Sequence, residues 1–153
     1  MKDAPIKNPG GLVARLELDR PDRLLVIDAP EPLSALLRNA RPEPLVTLES
    51  TGDAIRAIKE TFDAILVWRE DRAGSRAVFD GAVKRLEADG IVWAVTAMRK
   101  VRGPTTPAVH RLELSDLVTG LGKGGLAHDR EVRVSAWHVA YRFVRGKTGA
   151  GSR

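Results

Sequence analysis

The chain has 153 residues, 43% of them hydrophobic and 29% charged, a length for one domain and a composition that excludes disordered and fibrous classes. It contains no cysteine, which excludes disulfides, thiolate metal sites and a cysteine nucleophile and suits a reducing, cytoplasmic compartment. The net charge of +5 favours acidic partners, whether an anionic ligand, a protein surface or nucleic acid.

Residues 1–10 are polar and end in Asn8-Pro9-Gly10, which predicts a flexible segment without a targeting signal. Gly11 to Leu18 has helix-like apolar spacing and is stopped by Asp19-Arg20-Pro21-Asp22, so a short helix is expected. Arg23 to Asp28 is a continuous apolar run ending in an acid, the pattern of a strand buried on both faces of a parallel sheet.

Pro32 suits the first turn of a helix running to Arg41, with Leu33, Leu36 and Leu37 on one face, because proline lacks only an N–H that the first turn leaves unpaired. Leu45 to Glu49 reads as a second strand. Ser50 or Thr51 is placed to cap a helix that turns Ile55 and Ile58 inward. Phe62 to Trp68 is a third apolar strand.

Ser75 is placed to cap the longest helix, with Val78, Phe79, Ala82, Val83 and Leu86 inward and Asp89-Gly90 as a left-handed stop. Ile91 to Ala97 is the fourth strand. Arg99 to Thr106 turns basic, with glycine and proline, and predicts a loop before a helix over 112–121. Residues 131–144 alternate in two stretches with no helix between them, which predicts an antiparallel pair, and 146–153 predict a disordered basic tail.

Strands separated by single helices imply crossovers in a parallel sheet covered on both faces. The expected fold is therefore α/β, one three-layer Rossmann-like domain over 11–145 with a mostly parallel sheet and a C-terminal antiparallel pair. No apolar run approaches the roughly 18 residues of a membrane-spanning helix, so no membrane partner is expected. The C-terminal edge strands are the expected place for any oligomer contact.

This order of elements, with the Phe62 to Val67 strand and the Leu86-Glu87-Ala88-Asp89-Gly90-Ile91-Val92-Trp93 segment, resembles class I S-adenosylmethionine-dependent methyltransferases. More narrowly, Asp28-Ala29-Pro30-Glu31, the Ala97-Met98-Arg99-Lys100 exit with Gly103, and Trp137 before Arg142 are similar to a small uncharacterised bacterial family of degenerate methyltransferase-like domains. That family implies no known activity.

The resemblance implies a cofactor site at Asp28, Glu31 and Glu49, with the acid ending the second strand holding the ribose. Active members place a Gly-x-Gly loop after the first strand, where glycine lets backbone approach the ligand. Here Asp28 is followed by Ala29-Pro30-Glu31-Pro32, with no glycine between Gly11 and Gly52, and the prolines remove two N–H donors. No cofactor is expected on this reading, with S-adenosylmethionine kept as the alternative. The segment between Glu49 and Phe62 is also too short for the strand and helices that the larger fold carries there.

After the third strand, Arg69-Glu70-Asp71-Arg72 replaces the Asn or Asp followed by two prolines and an aromatic of amino-methyltransferases. Ligands of open parallel sheets bind beyond the carboxyl ends of the strands, and Arg69, Arg72, Arg99, Lys100 and Arg102 all follow strands directly. These five are the candidate anion-binding set, through forked guanidinium contacts or along a nucleic-acid backbone.

His110, His128 and His138 show no metal-ligand spacing, and Ser34, Ser75, Ser115 and Ser135 lack a Gly-x-Ser-x-Gly elbow. Trp68 and Trp93 are expected in the core, Trp137 partly exposed. Three readings stay open: first, a non-catalytic methyltransferase-like domain that binds an anionic ligand or partner; second, a divergent S-adenosylmethionine-dependent methyltransferase; third, a basic nucleic-acid-binding protein.

Overall fold

The computed structural model describes residues 6, 8–98 and 110–145. In chain order they form α1 (Pro9–Arg15), β1 (Arg23–Ile27), α2 (Glu31–Ala40), β2 (Val46–Ser50), a 3-10 turn (Ile55–Ala57), β3 (Phe62–Trp68), α3 (Ser75–Lys84), β4 (Leu86–Ala97), α4 (Leu114–Gly122), β5 (Leu126–Arg133) and β6 (His138–Arg145). They build one sheet in the order β2-β1-β3-β4-β6-β5. β2, β1, β3 and β4 are parallel, and β6 runs antiparallel between β4 and β5.

The near-continuous apolar character of β1, β3 and β4 has a plain cause: alternate residues feed two separate cores. Leu25, Ile27, Ile65, Val67, Val92 and Ala94 pack under α3 and α4 with Val78, Phe79, Leu117 and Leu121. Leu24, Val26, Ala64, Leu66, Trp93 and Val95 pack under α1 and α2 with Leu12, Leu16, Leu33 and Leu37. The indole of Trp93, fully buried, donates to Leu16 O at 2.9 Å, so even the polar edge of the largest core side chain has a partner.

Four local expectations are corrected. No α-helix follows Ser50: Thr51 Oγ1 accepts from Ala54 N at 3.2 Å, yet only the 3-10 turn forms. Ile55 and Ile58 are buried as expected. The stretch from Thr51 to Thr61 must carry the chain past β1 to β3, and so short a crossover has no room for a helix that returns.

α3 is capped by Gly74 at φ +75° rather than by Ser75, and it is as long as α2 rather than the longest. It ends at Lys84, and Leu86 already opens β4, so Gly90 lies inside a strand and is no left-handed stop. α4 starts at Leu114, where Glu113 and Asp116 form a reciprocal capping box.

One buried charge holds the β2 edge. Arg41, 4% exposed, donates to Leu18 O at 2.9 Å, Val46 O at 2.8 Å and Thr47 Oγ1 at 2.6 Å. Burial lowers its pKa, against the charges of Asp22, Asp63 and Asp19 that raise it.

Candidate functional site

The carboxyl ends of β1 and β2 frame a recess of about 400 Å³, bordered by Asp28, Ala29, Ser34, Glu49 and Thr51. Two of the three acids expected there, Asp28 and Glu49, are thus brought together. Their carboxylates already have protein partners. Asp28 sits in the left-handed region at φ 59°, an uncommon conformation that Asp tolerates better than most residues, and its Oδ2 accepts from Gly52 N at 3.0 Å. A Cβ on Gly52 would lie 2.9 Å from Val78 Cγ2 and 3.1 Å from Asp28 Oδ2, so this close approach requires glycine.

Glu31, in the first turn of α2, and Glu49, in β2, share one cation. Arg38 Nη2 lies 2.6 Å from Glu31 and Nε 2.8 Å from Glu49. The hydrogen bond to Glu31, followed by the charges of Glu49 and Glu31, holds the Arg38 guanidinium above its ordinary pKa. Arg38 stands two helical turns after Glu31, a spacing that puts both on one face of α2, and this was the available sequence signal for it.

The cationic set divides. Arg69 donates from Nε to Asp71 O at 3.1 Å and from Nη2 to Ala73 O, so its guanidinium braces its own loop. Arg72 instead borders a second cavity of about 350 Å³ between α3 and α4, together with Arg76 and Lys123. Arg99, Lys100 and Arg102 lie outside the described residues. Arg76 and Lys123 were missed in the sequence because neither follows a strand.

Glu70 has a role that its neighbours in sequence do not suggest. Its backbone O accepts from Leu112 N at 2.8 Å, and its carboxylate meets His138 Nε2 at 2.6 Å. His138 Nδ1 lies 2.8 Å from Ser135 Oγ, which also accepts from Trp137 N at 3.0 Å. A serine, a histidine and an acid therefore do align, although the sequence shows no such motif. Ser135 is 1% exposed and His138 fully buried, so no substrate reaches the hydroxyl and the row fastens the end of β3 to the start of β6. Trp68, partly buried at the end of β3, packs against the His138 ring with centroids 4.5 Å apart and planes tilted by 43°. No cluster of His, Asp and Glu able to hold a metal ion forms among the described residues.

Strand order, an antiparallel strand inserted beside β4, and a recess beyond the β1 and β2 ends together allow comparison with solved structures. A methyltransferase from Aquifex aeolicus described as S-adenosylmethionine dependent matches with TM-score 0.67 at 10% identity, covering 90% of this chain and 89% of that one. The fold is that of class I S-adenosylmethionine-dependent methyltransferases. Magnesium protoporphyrin IX methyltransferase (ChlM) from Synechocystis PCC 6803, solved with bound SAH, matches with TM-score 0.61 at 12% identity, covering 90% of this chain and 80% of that one. The pyocyanin biosynthetic protein PhzM matches with TM-score 0.64 at 16% identity, covering 88% of this chain. The chain covers 53% of the length of PhzM. No protein-family model and no curated protein matches the sequence.

The residues at the recess do not fit the cofactor in the pose that the methyltransferase resemblance implies. The β1–α2 turn carries Pro30 and Pro32, and the N–H groups of Leu33 and Ser34 both turn back onto Pro30 O at 3.1 Å. Proline at the second helical position has no N–H to offer. Pro30 and Pro32 thus offer no N–H, the amides of Asp28, Leu33 and Ser34 are taken, and Glu49, to which the resemblance would assign the ribose, is paired with Arg38.

Proposed function

We propose that this is a non-catalytic methyltransferase-like domain that binds an anionic ligand at the basic carboxyl-end edge of its sheet. The observation that carries this reading is the turn after β1, where Asp28 bonds Gly52, Pro30 and Pro32 lack an N–H, and the amides of Leu33 and Ser34 close on Pro30 O. An enzyme of this fold needs that turn open toward the cofactor. Cationic side chains bordering a cavity at the start of α3, Arg72 and Arg76 among them, supply the complementary charge for an anion.

The second reading, a divergent methyltransferase, is favoured by the recess itself, which keeps two acids at the ends of adjacent parallel strands. Thermal unfolding with millimolar S-adenosylmethionine and S-adenosylhomocysteine separates the two. A ligand at a hundredfold excess over Kd stabilises the native state by about 2.7 kcal/mol, roughly 5–10 °C in Tm for a chain of this size. No shift is expected. A saturating shift of that size, abolished by Glu49→Gln, establishes the divergent methyltransferase instead.

A further inference from the structure

The cavity between α3 and α4 lies outside the β1–β2 recess and on the face of the sheet opposite α1 and α2. Its floor is apolar: Phe79, Leu112, Leu117 and Leu121 border it, each 5% exposed or less. Its charged lining comprises Arg72, Arg76 and Lys123 against Asp80 and Asp116. The Asp116 carboxylate is already engaged, accepting from Glu113 N at 2.9 Å in the capping box. At about 350 Å³ the cavity falls in the size range of small-molecule sites, which are mostly apolar with a few polar groups that fix orientation.

We propose that this cavity binds a small amphipathic carboxylate, with an aromatic or short acyl body against Phe79, Leu117 and Leu121 and the carboxylate held by Arg76 and Lys123. An apolar floor without charge would suit a neutral hydrophobe, and cations without a floor would suit inorganic phosphate. Their combination selects a molecule with both parts. Three cations against two carboxylates leave one positive charge over, which matches a monoanion better than a phosphate dianion. This inference rests on the anion-binding reading above and assigns it a place and a ligand class.

Calorimetric titration with 2-naphthoate tests it, alongside 2-naphthalenemethanol as the neutral analogue and inorganic phosphate as the anion without a body. Expected is saturable binding at one site per chain, at least tenfold weaker for the alcohol and for phosphate, and several-fold weaker in Arg76→Gln and Lys123→Gln. Gly120 borders the cavity, and a Cβ built on it meets nothing within 4 Å. Gly120→Leu should therefore fill the cavity while the chain stays folded by far-UV circular dichroism, and naphthoate binding should be lost.

Charge-dependent binding that survives in folded Gly120→Leu overturns the assigned cavity while leaving the anion-binding reading in place. Equal binding of naphthoate and the alcohol overturns the ligand class. If neither naphthoate nor phosphate binds the wild-type chain at millimolar concentration, both the inference and the reading beneath it fall. If phosphate alone binds, the inference falls and the reading stands.

Discussion

His138 Nε2 and Glu70 Oε2 lie 2.6 Å apart although 68 residues of chain separate them. A carboxylate only accepts hydrogen bonds, so the imidazole carries a proton on Nε2, and Nδ1 faces the Ser135 hydroxyl. Removing the ring leaves a cavity and strips Glu70 and Ser135 of a partner. His138→Ala should cost about 2–4 kcal/mol in urea unfolding. A double-mutant cycle with Glu70→Ala should give a coupling of about 1–3 kcal/mol; strict additivity would show that the contact contributes nothing of its own.

Arg41 should prove costly to replace. Its fork bonds the carbonyls of Leu18, Val46 and, at 3.5 Å, Asp22 together with the Thr47 hydroxyl, and a side chain without donors leaves the buried Leu18 acceptor and its part-buried neighbours without that partner. Arg41→Met should lose about 2–4 kcal/mol. Arg41→Lys should recover less than half of that loss, since one ammonium cannot reproduce the planar fork. Full recovery with lysine in the same unfolding experiment would refute this account.

Asp28 combines a positive φ with an accepted hydrogen bond from Gly52. Asn keeps the acceptor and tolerates the left-handed region, so Asp28→Asn should stay within about 0.5 kcal/mol of wild type. Asp28→Ala loses the acceptor and keeps the strained backbone, and should cost about 1–2 kcal/mol. Equal stability of the two variants would separate the turn from this bond.

Tyr141 is the single tyrosine of the chain, so phenolate absorbance reports it alone. Burial, then the charges of Glu131 and Glu113, raise its pKa above 10.0. The unfolded chain therefore releases the phenolic proton at lower pH than the native one, and stability falls as pH rises. Its contribution is complete below pH 10 and is lost as pH climbs through the folded value. Tyr141→Phe should flatten the alkaline slope of the unfolding free energy; an unchanged slope would assign it to other groups.

The sheet was legible because its signal is local. β1, β3 and β4 are apolar runs, α2 and α3 repeat apolar residues at helical spacing, and residues 131–144 alternate without an intervening helix. Each pattern reports which faces of a short segment are covered, and the parallel order follows from strands joined by single crossovers. The missing glycine loop after β1 was equally plain, since a turn that approaches a ligand needs particular residues at particular positions. Where local signals competed with connection length, as between Ser50 and Phe62, the tertiary requirement to reach β3 overrode the capping residue.

The sequence by itself determined the fold class, the acids at the ends of β1 and β2, and the prolines that close the turn between them. Only the tertiary structure decided what those side chains do. It brought Arg38 between Glu31 and Glu49, set Arg69 into its own loop, drew Arg72 with Arg76 and Lys123 around one cavity, and joined Glu70 to His138. Periodicity reports burial of one segment at a time, whereas a hydrogen bond or a cavity depends on the relative placement of elements far apart in the chain, which no local pattern encodes.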